Sequence, residues 1–74
     1  MIDIQKLIKM NDEELEKELE LNGYYYEDIE GNEKIYSNED GSEMIGVSPD
    51  YIRFYTIDDE VGWVKSEFKR DYKN

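Results

Sequence analysis

The sequence predicts an α+β protein with an N-terminal helix or helix pair, a three- to four-stranded antiparallel sheet and a C-terminal helical segment. Three observations indicate this class. Apolar residues recur at helical spacing near the start, alternating residues rich in tyrosine and isoleucine fill the middle, and helical spacing returns near the end. At 74 residues, the chain has the length of one domain, 1–74, with a small core.

The first helix is predicted over residues 3–10. Ile4, Leu7 and Ile8 lie at helical spacing. Asp3 stands immediately before them, where its carboxylate can accept a hydrogen bond from a free backbone N–H of the first turn. We therefore expect a short amphipathic helix that begins directly after Asp3.

A second helix is expected to begin after Asn11. One continuous helix as far as Leu21 is the alternative, but it would place Asn11 in the middle of the buried stripe. As an N-cap, Asn11 forms a capping box with Glu14 three residues later. Asn22-Gly23 then ends this helix, because glycine adopts the left-handed C-cap conformation readily.

Four antiparallel strands are predicted in the middle of the chain, because alternating aromatic and β-branched residues are interrupted there by turn-forming residues. The turns are Gly31-Asn32, residues 38–42 and Ser48-Pro49-Asp50. The strands between them are Tyr24–Glu30, Glu33–Ser37, Glu43–Val47 and Tyr51–Ile57.

Period-two alternation predicts two different sheet faces. The core face would hold Tyr25, Ile29, Ile35, Ile45, Val47, Ile52 and Phe54. The other, tyrosine-rich face would hold Tyr24, Tyr26, Tyr36, Met44, Tyr51, Arg53 and Tyr55. Such a face is either covered by the C-terminal helix or contacts a partner, since tyrosine combines an apolar ring with a polar tip.

The segment 60–72 is predicted to be helical, with a fifth strand as the alternative. Val61, Val64 and Phe68 lie at helical spacing. Acidic residues open the segment and basic residues close it, which matches the helix dipole. Gly62 in the first turn would weaken such a helix slightly.

Composition argues against catalysis. The chain contains no Cys and no His, so it has no disulfide, no usual zinc ligand set and no imidazole base. The hydroxyl side chains lack a base to activate them, and the turn 38–43 lacks the ligand pattern of a calcium loop. We expect a non-enzymatic protein with no cofactor and no catalytic or metal-binding residues.

The net charge of -11 is concentrated in residues 11–43, which hold thirteen of the twenty acids and only two lysines. The helix cluster Asp12-Glu13-Glu14-Leu15-Glu16-Lys17-Glu18-Leu19-Glu20 is followed by acidic hairpins. On the second helix, three glutamates would share one solvent edge at about 5–6 Å, close to the spacing of backbone phosphates. The predicted partner-binding residues are Glu13, Glu16, Glu20, Glu27, Asp28, Glu30, Glu33, Glu39, Asp40, Glu43, Tyr26 and Tyr55.

In size and in this charge pattern, the chain resembles the small acidic inhibitors that phages and mobile elements encode against host nucleic-acid enzymes, including anti-CRISPR and anti-restriction DNA mimics. The resemblance implies that the acidic surface occupies the nucleic-acid-binding groove of a basic host defence protein. One alternative is an immunity- or antitoxin-type partner of a basic toxin. The other is an accessory module that self-associates through its tyrosine-rich face.

The expected partner is a protein, because a surface this acidic repels nucleic acid and anionic lipid. Residues 1–10 have no continuous apolar run of the signal-peptide type, and no apolar run is long enough to span a bilayer. We therefore expect a cytoplasmic protein, as a monomer or a homodimer.

Overall fold

A computed structural model describes residues 2–72. Two short helices precede a five-stranded antiparallel sheet whose strands lie side by side in chain order. The helices are α1 (Ile4–Leu7) and α2 (Asp12–Leu21). The strands are β1 (Tyr25–Glu30), β2 (Glu33–Ser37), β3 (Glu43–Val47), β4 (Tyr51–Asp58) and β5 (Gly62–Lys69).

The predicted interruption between the helices is confirmed, and the single continuous helix is wrong. Asp3 caps α1 by accepting a 3.0 Å hydrogen bond from the Gln5 N–H. Asn11 and Glu14 form the reciprocal capping box, at 2.9 and 3.1 Å. Gly23, with φ of 87°, follows the C-cap of α2 in the conformation that glycine adopts most easily.

The predicted α+β class with a C-terminal helix is wrong, because residues 62–69 form a fifth strand and the fold is dominated by the sheet. The acidic residues 58–60, which suggested the first turn of a helix, instead form the turn of the β4–β5 hairpin. The Asp58 carboxylate accepts hydrogen bonds from the N–H groups of Glu60 and Val61 at 2.8 and 3.2 Å. Gly62 has φ of 83°, which suits the end of a tight turn and not the first turn of a helix.

The core lies between the two helices and one face of the sheet. Its seven buried apolar residues are Leu7, Leu15, Leu19, Tyr36, Ile45, Val47 and Ile52. The opposite face, which we call the open face, is covered by no helix of residues 2–72. An antiparallel sheet commonly has one packed and one exposed face in this way.

The predicted faces are correct for β3 and β4 and wrong for β2; in β1 Ile29 lies on the predicted core side, but Tyr25 and Tyr26 are exchanged. The register pairs Tyr36 with Ile45, so Tyr36 belongs to the core and Ile35 to the open face. In β1 a bulge at Glu27 changes the alternation, which places Tyr26 on the helix side and Tyr25 on the open face. A buried tyrosine is tolerated because its hydroxyl reaches a partner.

Arg70 attaches the C-terminal tail, residues 70–72, to the rest of the fold, and its side chain is only 1% exposed. Its guanidinium donates to the carbonyls of Met10 and Ser48, both at 3.0 Å, and to the Asp12 carboxylate at 2.8 Å. The Tyr72 ring lies 4.5 Å from the guanidinium carbon. One side chain thereby joins the helix–helix junction, the β3–β4 turn and the tail.

Candidate acidic interface

The open face has a hollow of about 520 Å³ beside the β1–β2 hairpin. Four carboxylates surround an apolar floor in this acidic hollow. The acids are Glu27, Asp28, Glu30 and Glu33, and the floor is formed by Ile35, Met44 and Tyr55. The Gly31 turn, with φ of 62°, brings both strands of acids together at one edge of the sheet.

Glu33 is the most enclosed of these acids, with 14% of its side chain exposed. It accepts a 3.0 Å hydrogen bond from the Arg53 guanidinium and a 3.2 Å hydrogen bond from the Tyr55 hydroxyl. Gly46 makes this possible, because a Cβ atom at that position would overlap the Glu33 carboxylate. The missing side chain of Gly46 therefore lets Glu33 lie flat across the sheet.

Arg53 is shared between two carboxylates, since its Nε also donates to Glu67 on β5 at 2.7 Å. The pKa of Arg53 is raised, first by the hydrogen bond to Glu67 and then by that to Glu33. The hydrogen bond from Arg53 correspondingly lowers the pKa of Glu67. One guanidinium thus faces two carboxylates, and this small network keeps a negative formal charge.

Tyr55 lies at the floor of the acidic hollow, where burial raises the pKa of its hydroxyl and the Glu33 charge raises it further. The other three acids of the hollow are exposed. Within residues 2–72, Glu27, Asp28 and Glu30 form no salt bridge. Their charges are therefore free to meet a cation from outside.

The predicted acids of α2 lie on the other side of the sheet from the acidic hollow. Glu13 and Glu20 are exposed, and Glu13 forms a 3.7 Å ion pair with Lys17 along the helix. Glu16 has a structural role, because it accepts a 2.9 Å hydrogen bond from the hydroxyl of buried Tyr36. Burial, followed by this hydrogen bond, raises the pKa of Tyr36.

The remaining predicted residues occupy the β2–β3 turn and the helix side. Glu39 and Asp40 line a shallow depression with Tyr25 and Tyr26. Asp40 accepts hydrogen bonds from the hydroxyl and N–H of Ser42, at 2.7 and 2.9 Å, and these lower its pKa.

Glu43 accepts a 3.3 Å hydrogen bond from the Tyr24 hydroxyl at the start of β3. Tyr26 packs edge to face against Tyr36, with ring centroids 5.9 Å apart. The twelve predicted residues are thus distributed over two sides of the sheet and one turn, and they form no single surface.

Several open-face residues escaped the sequence prediction. Glu67 and Trp63 fall in the segment predicted to be helical, so their places beside Arg53 and Ile57 could not be recognised. Exposed Ile57 and Trp63 pair across the β4–β5 hairpin. The alternation of β4, which places Arg53, Tyr55 and Ile57 on one face, was the available signal.

Comparison with protein-family models, with curated proteins and with solved structures finds no match to this chain. Among residues 2–72, no helix is both long and apolar enough to cross a membrane. The part of the chain that the structure describes also has no group of three or more acidic side chains placed to hold a metal ion.

Proposed function

We propose that this chain is a non-enzymatic protein-binding inhibitor whose acidic surface occupies the nucleic-acid-binding groove of a basic protein. A cationic side chain of that groove would enter the acidic hollow. The observation that carries the proposal is the juxtaposition of four carboxylates around an apolar floor on a sheet face that no helix of residues 2–72 covers. This arrangement matches a long cationic side chain, whose methylene groups require apolar contact and whose head requires carboxylates.

The chain's own Arg53 supports this recognition chemistry. Its guanidinium is held by Glu33 from one side and by Glu67 from the other, while Tyr51 contacts it through the ring face at 5.4 Å. An arginine or lysine of a partner would find comparable groups in the hollow, where Glu27 and Glu30 are unpaired within residues 2–72.

Charge also favours a basic groove over other protein surfaces. The net charge of -11 attracts a cationic partner over long distances and raises the association rate, while it repels nucleic acid itself. A nucleic-acid-binding groove presents several cations at phosphate spacing. The exposed acids of the β1–β2 hairpin and of the β2–β3 turn would meet such cations as substitutes for phosphates.

A cationic probe tests the location of the interface before any partner is known. An arginine-rich peptide, titrated into isotope-labelled chain, should shift the backbone resonances of β1 and β2 most strongly. The double variant Glu27→Lys/Glu30→Lys should weaken this binding about tenfold or more, because it reverses two charges of the hollow. The matched control, Glu13→Lys/Glu20→Lys, changes the net charge equally on the helix side and should weaken binding much less.

The inhibitory function requires a second measurement with a captured basic protein and its nucleic acid. The proposal predicts that the chain and the nucleic acid compete, with an affinity that falls steeply as salt increases. Simultaneous binding of both would contradict it and favour an immunity-type complex beside the active site. Equal loss of binding in the two charge-reversal variants would show that net charge, and not the acidic hollow, determines the interaction.

A further inference from the structure

The two edges of the sheet differ in their capacity to pair with another strand. Edge strand β1 is interrupted by a bulge and carries three acids with no base. Bulges and like charges are the usual protection of an edge. Edge strand β5 has eight residues in continuous register with β4 and contains neither a proline nor a bulge. No strand of residues 2–72 lies beyond β5.

We propose that β5 pairs antiparallel with β5 of a second copy of this chain, about a two-fold axis through Ser66. In this register Lys65 of each copy lies opposite Glu67 of the other. Val64 then lies opposite Phe68, and Trp63 lies opposite Lys69. The strand is thus complementary to itself in charge and in apolar contacts, which an isologous interface requires.

Neighbouring registers that keep the same sheet face lack this complementarity. An axis through Lys65 would bring the two copies of that lysine face to face. An axis through Glu67 would do the same for the glutamates, and would also place Lys65 opposite Lys69. Because like charges directly opposite one another destabilise a strand pair, the sequence of β5 favours the axis at Ser66 over both of these neighbouring axes.

The side chains of β5 are available for this contact. Trp63 is 48% exposed and Val64 is 41% exposed, although both lie in a regular strand. Phe68 already packs edge to face against Phe54, at 6.0 Å, on the side of the sheet that Val64 of the second copy would join. Residues 70–72 do not cover the edge, because after Lys69 they turn towards the helices, where the Asp71 N–H donates to the Ile8 carbonyl at 2.8 Å.

The acidity of the whole chain does not prevent this pairing. β5 carries two lysines and one glutamate, whereas the acids of the hollow lie at the opposite edge. Four strand spacings separate β1 from β5, which amounts to about 19 Å. Repulsion over such distances is screened at physiological salt, where the Debye length is about 8 Å.

A disulfide placed on the axis tests both association and register, because the chain contains no cysteine of its own. In the proposed dimer, the Ser66 Cα atoms of the two copies lie about 4.5–5.5 Å apart, within disulfide range. Ser66→Cys should therefore form a covalent dimer in a glutathione buffer at least tenfold more readily than the control Val61→Cys, whose thiols lie off the axis and outside the paired strands. Equal cross-linking of the two variants would overturn the register.

Sedimentation equilibrium of the unmodified chain and of two lysine variants tests the interface without cross-linking. Val64→Lys should raise the dimer dissociation constant at least tenfold, because it places two lysines at the contact with Phe68. The control Val61→Lys makes the same change in the hairpin turn and should leave the constant unchanged. Circular dichroism checks that each variant is folded. A monomer at every concentration up to about 1 mM, or a dimer insensitive to Val64→Lys, would refute the proposal.

Discussion

Replacing Arg70 by alanine should destabilise the fold by about 3 kcal/mol. The side chain is buried and supplies charged donors to two backbone carbonyls, those of Met10 and Ser48. A hydrogen bond to a charged group contributes about 1.5–3 kcal/mol, so two such bonds give about 3–6 kcal/mol. The buried Nε of Arg70 has no hydrogen-bond partner within residues 2–72 and offsets part of this, which leaves about 3 kcal/mol. A chain of this length has a total stability of about 5–10 kcal/mol, which makes the loss a large fraction of it.

The ion pair with Asp12 should contribute much less than the two carbonyl contacts. The Asp12 side chain is 65% exposed, so water can solvate its carboxylate when the partner is absent. Asp12→Asn should therefore cost less than about 1 kcal/mol, as exposed ion pairs do. Arg70→Lys should fall between the two variants, because a lysine keeps the charge but cannot reach both carbonyls in the planar geometry of a guanidinium.

Urea denaturation followed by circular dichroism measures these differences, provided that the variants unfold in one transition with a common slope. The contrast between variants is the decisive quantity. If Asp12→Asn costs as much as Arg70→Ala, the ion pair and not the backbone contacts holds the tail. If Arg70→Ala costs less than about 1 kcal/mol, the contacts of Arg70 with the two backbone carbonyls do not hold the tail in solution.

Three further predictions concern the two faces of the sheet. Gly46→Ala should displace the Glu33 carboxylate and lower the free energy of unfolding, measured with urea, by about 1–2 kcal/mol. The pKa of Tyr55 should move back towards its ordinary value, and an unchanged Tyr55 titration would contradict this. Tyr24, Tyr36 and Tyr55 have raised pKa values, so the folded state keeps their protons to higher pH than the unfolded state does. The stability is therefore full below pH 10 and should fall above it, by about 1.4 kcal/mol per pH unit for each tyrosine ionised only in the unfolded state. Denaturation midpoints that stay constant above pH 10 would refute this. Phe68→Ala should cost about 2 kcal/mol through loss of the Phe54 contact, and a silent substitution would show that the end of β5 is not packed.

The sequence was sufficient to locate the helices, strands and turns of the first 58 residues, because caps and turns act over only a few positions. It did not predict that α1 ends at Leu7 and not at residue 10, nor the bulge in β1. The Asn11–Glu14 capping box and the glycine at position 23 set the limits of α2. It was insufficient for 60–72, where helical spacing and the order of charges agreed with a helix. The deciding contact is the pairing of Val64 with Thr56 across a hairpin, an interaction between strands that no local pattern encodes.

The candidate site was only partly predictable for the same physical reason. The density of acids in residues 11–43 is a property of the sequence, but the side of the sheet on which each acid lies depends on the register. The bulge at Glu27 changes the alternation within β1 and places Asp28 opposite Ile35 on the open face. The acids of α2 were predicted to act with those of the hairpins, yet the sheet separates the two groups.

The two proposals, taken together, assign different tasks to the two edges of one sheet. A two-fold axis perpendicular to the sheet at Ser66 leaves both open faces on the same side of a ten-stranded sheet. The acidic hollows would then lie at its two ends, with the outer strands about 43 Å apart at ordinary strand spacing. A dimer would therefore place two acidic hollows on one surface, suited to two cationic sites or to one long groove, where the second contact forms at a high effective concentration. The near-neutral edge strand is what permits this arrangement, because an edge as acidic as β1 would repel its own copy.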